Sequence, residues 1–349
     1  MRLSRVFTPA FLSSLTESVF AGAVGFVVGG LVLWVLGYNP LSTFYYLLQG
    51  SVGSPTNFSV TLNNAAPLIL TAICFAIGLR AGLFNIGAEG QVYVGAAAAV
   101  AVAFFSLPVG LHLALSIIVA GAAGALWSLP AFLLKASRGV NEVISTIMLN
   151  WLGFYSILWV SLNWLVDPNR SEKTISVPAT MRFPDLLGGA GISSAILFSV
   201  LIAFGYYGYL WLTPSGYELR AVGLNPDAAR FGGIAPKKAL LSAFALGGFA
   251  SGIAGAIQVA GRGPPYAIYT TLGNVQNFGF NGIGVSLIGK NHPVAIILAG
   301  IFFGALQAGA TNVQLYARVP YEIVQVIEGI IVVAIAAPDI LKKIRGLGK

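Results

Sequence analysis

The side chains with chemistry to offer are few and scattered. Glu89, Glu142 and Glu328 lie in or beside long apolar runs, His112 and His292 stand 180 positions apart, and Cys74 is the sole cysteine. Neither histidine has a carboxylate or thiol at ligand spacing, which argues against a metal site. One cysteine excludes an intramolecular disulfide and a cysteine cluster. The sequence contains no GxxxxGK[ST], so it carries no phosphate-binding loop of its own. A membrane-embedded enzyme would need a dense polar constellation at one interface, which is missing. An ion-coupled carrier would favour paired charges in mid-span, and only Glu328 and Glu89 approach that. What remains is binding chemistry. Glu89 and Gln91 stand in "NIGAEGQ" at the start of an apolar run. They can satisfy the free backbone N–H groups of a helix beginning. Alternatively, "FNIG" marks a broken helix that lines a path through the membrane. Phe84 and Asn85 in "LFNIG" and Phe280 and Asn281 in "GFNGIG" repeat an aromatic–Asn–Gly pattern in the two halves of the chain. Such a pattern is the trace expected of a pseudo-symmetric repeat whose copies meet at a solute path.

Composition dictates what must position these residues. Of 349 residues 57% are hydrophobic and 9% charged, and the mean hydropathy is +0.84. Soluble domains carry about 25% charged residues. The apolar runs have the length of bilayer spans, roughly 20 residues. We expect an all-α polytopic membrane protein with about ten transmembrane helices, near 19–37, 65–84, 88–107, 110–134, 143–166, 192–213, 239–260, 272–289, 293–311 and 320–337. Residues 1–18 form a lead-in without a cleavage site, 19–337 the transmembrane domain, and 338–349 a basic tail. With the N-terminus inside, fourteen of the 19 Lys and Arg fall on the cytoplasmic side and five outside. This places both termini in the cytoplasm and 38–64 and 167–191 outside. The net charge of +8 is scattered between apolar runs, which argues against nucleic acid as a partner. The 43 glycines, many at close spacing, fit close approach of packed spans. Glu142, with Asn141 as a possible cap, reads as an interfacial carboxylate at a cytoplasmic helix start.

One polar island interrupts this pattern. "GYELRAVGLNPDAARFGGIAPKK", Gly216–Lys238, holds six charged residues between two uncharged runs. Within it Asn225 can cap a short helix, Pro226 suits its first position, Asp227 complements the dipole, and Gly232 or Gly233 ends it. Ala228, Ala229, Arg230 and Phe231 complete the helix. It is an ordinary capped loop helix or one that docks into a groove on a cytoplasmic partner.

The island resembles the cytoplasmic coupling loop, here 214–238, of ABC-importer permeases in the ribose, branched-chain amino acid and nucleoside branch. "GLFNIGAEGQVYVGA" (82–96), "GVNEVISTIMLNW" (139–151), "GFNGIGVSLIGKNHPVA" (279–295) and "VPYEIVQVIEGII" (319–331) resemble, in order, segments of nucleoside-type permeases. The resemblance implies a multi-pass protein of the prokaryotic plasma membrane that moves nucleosides or related small polar solutes, or otherwise a simple sugar or amino acid. It implies no cofactor on this chain, with ATP and Mg on a separate ABC ATPase subunit. The implied partners are that ATPase, a second and different permease chain, and an extracytoplasmic solute-binding lipoprotein. It implies a solute path near Phe84, Asn85, Glu89, Gln91, Phe280 and Asn281, and coupling to the ATPase through Asn225–Phe231. A nucleoside would use aromatic rings for stacking and amides for its base edges.

Overall fold

A computed structural model describes residues 9–186 and 191–346, with side chains described for 22–186 and 191–334. The chain is almost wholly helical. Its helices are α1 (Pro9–Val35), α2 (Pro40–Val52), α3 (Pro55–Arg80), α4 (Ala88–Val102), α5 (Leu111–Arg138), α6 (Glu142–Asn163), α7 (Ala195–Leu212), α8 (Pro214–Leu224), α9 (Pro226–Phe231), α10 (Pro236–Ala260), α11 (Phe278–Ile288), α12 (Pro293–Asn312) and α13 (Tyr321–Gly346). Proline at the first helical position recurs, and at α2, α8 and α9 a capping side chain precedes it. Asn39 accepts from Leu41 and Ser42 N–H groups before α2, Thr213 from Gly216 before α8, and Asn225 from Asp227 and Ala228 before α9. Each cap satisfies donors that the helix leaves unpaired, and the fixed φ of proline suits the first turn.

Two compact units divide the chain, 62–304 and 1–61 with 305–349. In the larger unit α3 is the central rod. Every residue from Asn64 to Gly78 is buried, as expected of a helix apolar on all sides. Helices α4, α5 and α10 pack on one another through glycines. A Cβ on Gly252 would stand 2.1 Å from the Ala120 carbonyl, so the backbones touch there and no larger residue fits. Outward on the same unit, β1 (Val166–Asp167) and β2 (Arg170–Thr174) form a hairpin. Backbone bonds from Thr174 to Ile268 and from Val177 to Tyr266 stitch its loop to the loop before α11. In the smaller unit α1 packs on α13, with Gly25 against Ile331 and Gly29 against Ile327. Tyr46 of α2 stacks on Tyr316 in the π-helical turn Val313–Ala317.

Among the described residues, six helices are long and apolar enough to cross a membrane: α3, α5, α6, α7, α10 and α12 with its π-turn. The chain is therefore a polytopic helical membrane protein. Every one of the ten expected spans has a helical counterpart, and several differ in extent. Helix α3 begins ten residues before the expected position, because Ser54 caps it through the Asn57 N–H and Pro55 opens it. The segment 38–64 is thus mostly helical. Helices α1 and α13 reach Pro9 and Gly346, so most of the expected lead-in and tail continue them; residues 1–8 and 347–349 lie outside the described residues. Finally, α4 and α11 are only 15 and 11 residues long.

Candidate functional site

The shortness of α4 begins with a break. Helix α3 ends at Arg80, Gly82 turns the chain at φ +75, and residues 83–86 carry no regular structure. Backbone groups in such a segment need partners from elsewhere. One face of α6 supplies them. Glu142 Oε1 accepts from the Phe84 N–H at 3.4 Å, and Thr146 Oγ1 accepts from the Ile86 N–H at 3.3 Å. Asn150 donates to the Ile86 carbonyl at 2.9 Å and accepts from the Gly90 N–H at 2.8 Å. Positions 142, 146 and 150 share a helix face, since a helix repeats near every fourth residue. Lys135 holds Glu142 in place with a 2.8 Å ion pair. From the other side, Asn85 accepts from the Gly87 N–H at 2.9 Å and donates to Cys74 Sγ at 3.6 Å, and Cys74 donates to Gln91 Oε1 at 3.3 Å. The break is held by α3 and α6 together.

Glu89 then ties the start of α4 to the start of α11. Its Oε1 accepts from Tyr93 Oη at 2.6 Å and from the Asn277 N–H at 2.5 Å. Its Oε2 accepts from the Gly279 N–H at 2.6 Å and from Phe280 N–H at 3.4 Å. The carboxyl thus sits on the open N–H groups of a helix whose own N-cap residue, Asn277, makes no side-chain cap. The approach is close: a Cβ on Gly279 would lie 2.2 Å from the Glu89 nitrogen. Thr71 of α3 adds a 2.9 Å bond to the Phe278 carbonyl.

The distance of this junction from the end of α3 follows from helix geometry. The far end of α11 adjoins Lys290 and Asn291, whose carbonyls accept from Arg80 at the end of α3. Eleven residues of α11 rise about 16 Å from there, half of a hydrocarbon core of about 30 Å. Helices α4 and α11 thus begin at one junction, joined through Glu89. Irregular backbone in a helical membrane protein persists where protein satisfies it, as α6 does here.

The six residues singled out for the path divide by exposure. Asn85, Glu89 and Gln91 are buried and hydrogen-bonded to protein atoms. Phe84 and Phe280 are 42% and 44% exposed, and Asn281 is half-buried. Phe84 lies edge-on to Phe75, with ring centroids 5.1 Å apart. Glu89 brings Phe280 to the start of α4, five residues after Phe84. The two aromatic–Asn–Gly stretches differ in conformation: the first is the irregular break, the second the first turns of α11.

In the polar island, Asn225 caps α9 through two 3.0 Å bonds, Pro226 opens it, and Gly233, not Gly232, takes the left-handed conformation at φ +83. Helix α8, eleven residues long, precedes it and is not apparent in the sequence pattern. Ala229 turns inward onto Val222 and Ala239, whereas Phe231 and Leu224 are 95% and 89% exposed. Ala229 therefore fastens α9 to its own loop, and the outward apolar contact falls to Phe231 and Leu224. Ala228, Asp227 and Arg230 lie on the exposed side. The end of α8 presses on the turn before the break. A Cβ on Gly223 would stand 2.1 Å from the Arg80 carbonyl, and one on Gly82 would stand 3.2 Å from Gly223 Cα.

Sequence reading missed Thr146, Asn150 and Gly223. Glu142, Thr146 and Asn150 recur at every fourth position inside "GVNEVISTIMLNW", a polar stripe on an apolar helix that could have revealed the clamp. No local signal marks Gly223.

Residues 57–336 match the family described as branched-chain amino acid transport system / permease component. The chain is similar to the guanosine ABC transporter permease protein NupP of Bacillus subtilis, 32% identical over 96% of this chain and 97% of that one. It is similar to the nucleoside ABC transporter permease protein NupB of Lactococcus lactis, 31% identical over 91% and 89%. It is also similar to the glucose ABC transporter permease protein TsgB13 of Haloferax volcanii, 30% identical over 97% and 90%. No solved structure matches.

Proposed function

The chain belongs to the family of permease components of branched-chain amino acid transport systems, and from that premise we propose that it is the membrane subunit of an ATP-driven importer of nucleosides. The observation that carries the choice of solute is similarity along nearly the whole chain to permeases named for guanosine and nucleosides. The chain is a transport component and not an enzyme. ATP and Mg belong to a separate ATPase subunit in the prokaryotic plasma membrane complex, which also holds a second, different permease chain and an extracytoplasmic binding lipoprotein.

Ten membrane-embedded helical segments, with both termini and the 214–238 loop cytoplasmic, fit the basic-residue asymmetry. The external surface then includes the hairpin of β1 and β2. Phe231 and Leu224 dock the ATPase. Motion there moves α8, and Gly223 passes it to the Arg80–Gly82 turn, because backbone in direct contact cannot absorb a displacement as a side chain can. The turn leads in two residues to Phe84. Phe84, Phe280 and Asn281 line the solute path, where rings stack on a base and an amide meets its edge. Asn85, Glu89 and Gln91 hold the shape of the break.

The test is uptake of labelled guanosine into proteoliposomes holding the permease pair, ATPase and loaded binding protein. Uptake should require ATP and the binding protein. A simple sugar is the second reading, supported by the similarity to TsgB13. Glucose uptake with no guanosine uptake would replace the nucleoside reading with that one.

A further inference from the structure

At the α8 end of the larger unit, two arginines converge on one indole. The guanidinium carbons of Arg80 and Arg220 lie 5.4 and 5.6 Å from the Trp211 ring centroid. His292 packs on the same indole, centroids 4.9 Å apart, and on Tyr207 at 5.5 Å. Among the described residues the ion pairs are Lys135–Glu142 and Lys173–Asp167, and neither arginine has a carboxylate partner. Arg80 donates to the carbonyls of the Lys290–Asn291 turn and Arg220 to the Leu210 carbonyl at 3.0 Å. These bonds use part of each five-donor fork, and both guanidinium groups keep further N–H donors. His292 Nδ1 is buried without a hydrogen-bond partner.

Two like charges converging on one ring repel each other, and an anion between them would relieve that repulsion. Its position identifies the source. Trp211 is in the last turn of α7, a helix whose Leu201, Phe204 and Leu212 are exposed apolar residues. Arg80 closes α3, an apolar span of 26 residues. Tryptophan and arginine at the ends of spans lie at headgroup level. Arg80, Arg220, Trp211 and His292 are all half-buried, so the cluster is partly withdrawn from solvent. A planar guanidinium matches phosphate with paired N–H donors. We propose that Arg80, Arg220 and Trp211, with His292 packed on the same indole, bind the phosphate headgroup of an anionic phospholipid. The lipid would bridge α3, α7, α8 and the turn before α12, and so brace the loop that meets the ATPase.

The test is native mass spectrometry of the assembled transporter from nanodiscs containing phosphatidylglycerol and phosphatidylcholine. The wild type should retain phosphatidylglycerol selectively. Arg220→Gln should lower that retention about fivefold, the effect of removing one basic residue near an anionic surface, with subunit stoichiometry unchanged. Arg220→Lys should fall between, because charge remains and the planar fork is lost. Lys238→Gln, an equal loss of charge on the exposed side of the same loop, should retain lipid as the wild type does. Equal retention by wild type and Arg220→Gln would overturn the proposal. So would loss of the ATPase subunit from Arg220→Gln with lipid retention intact, which would assign the arginines to a carboxylate of the partner. Displacement of the lipid by millimolar inorganic phosphate in the wild type would assign a soluble anion instead.

Discussion

Phe84–Gly87 and Phe280–Gly282 share residue types yet take opposite conformations, an irregular break in one and helix in the other. The difference lies in their partners. The first stretch faces α6, where Glu142, Thr146 and Asn150 satisfy irregular backbone from outside. The second receives Glu89, a carboxyl placed over its N–H groups, which lets a helix start at once. The chemistry of a short pattern does not decide its conformation; the polar group brought to it does. One acidic residue also makes the two stretches interdependent, since Glu89 belongs to the helix that follows the first and caps the helix that contains the second.

The largest effect should come from removing that residue. Glu89→Ala leaves the Asn277 and Gly279 N–H groups and the Tyr93 hydroxyl without an acceptor in a buried site. Unsatisfied buried groups cost about 1–3 kcal/mol each. We expect loss of folded transporter, seen as collapse of the monodisperse peak in detergent chromatography. Glu89→Gln keeps one carbonyl acceptor and should assemble with a lowered melting temperature. A Glu89→Ala protein as stable as wild type would separate the two stretches and remove the comparison.

Next in size is Gly223→Val. Its branched side chain cannot fit against the Arg80 carbonyl. Uptake should fall at least about tenfold, a cost near 1.4 kcal/mol or more in the rate-limiting barrier, while the complex still forms and hydrolyses ATP. Asn150→Ala follows. It frees the Ile86 carbonyl and the Gly90 N–H, so thermal stability should drop by about 1–3 kcal/mol, and uptake with it. Smallest is Asn281→Ala at a half-buried position of α11. Assembly and melting temperature should stay as in wild type, and the concentration of guanosine giving half-maximal uptake should rise a few-fold. An unchanged half-maximal concentration would take Asn281 out of the path.

Much of this was legible in the sequence. Apolar run length and charge scarcity announced the spans, and Asn225–Pro226 announced α9, because caps and apolar runs are local. Glu89 was legible as a residue serving a helix beginning, though the helix it serves lies about 190 positions further along. That distance is why the pairing was hidden: a carboxyl in one segment carries no mark of which backbone it will meet. The same holds for Gly223, whose requirement arises from the Arg80–Gly82 turn across the bundle. Ala229 shows the converse, since a six-residue helix leaves its inward face undetermined until the loop folds onto Val222 and Ala239.

The central claim is that motion at α9 reaches Phe84 through the Gly223 contact. The direct measurement is the rate of thiol labelling at Phe84→Cys, in a Cys74→Ser background that leaves no other cysteine, within the reconstituted complex. Labelling should change when ATP and loaded binding protein are added. In Gly223→Val the change should vanish while ATP hydrolysis persists. A rate indifferent to ATP, or a change that survives Gly223→Val, would contradict the account.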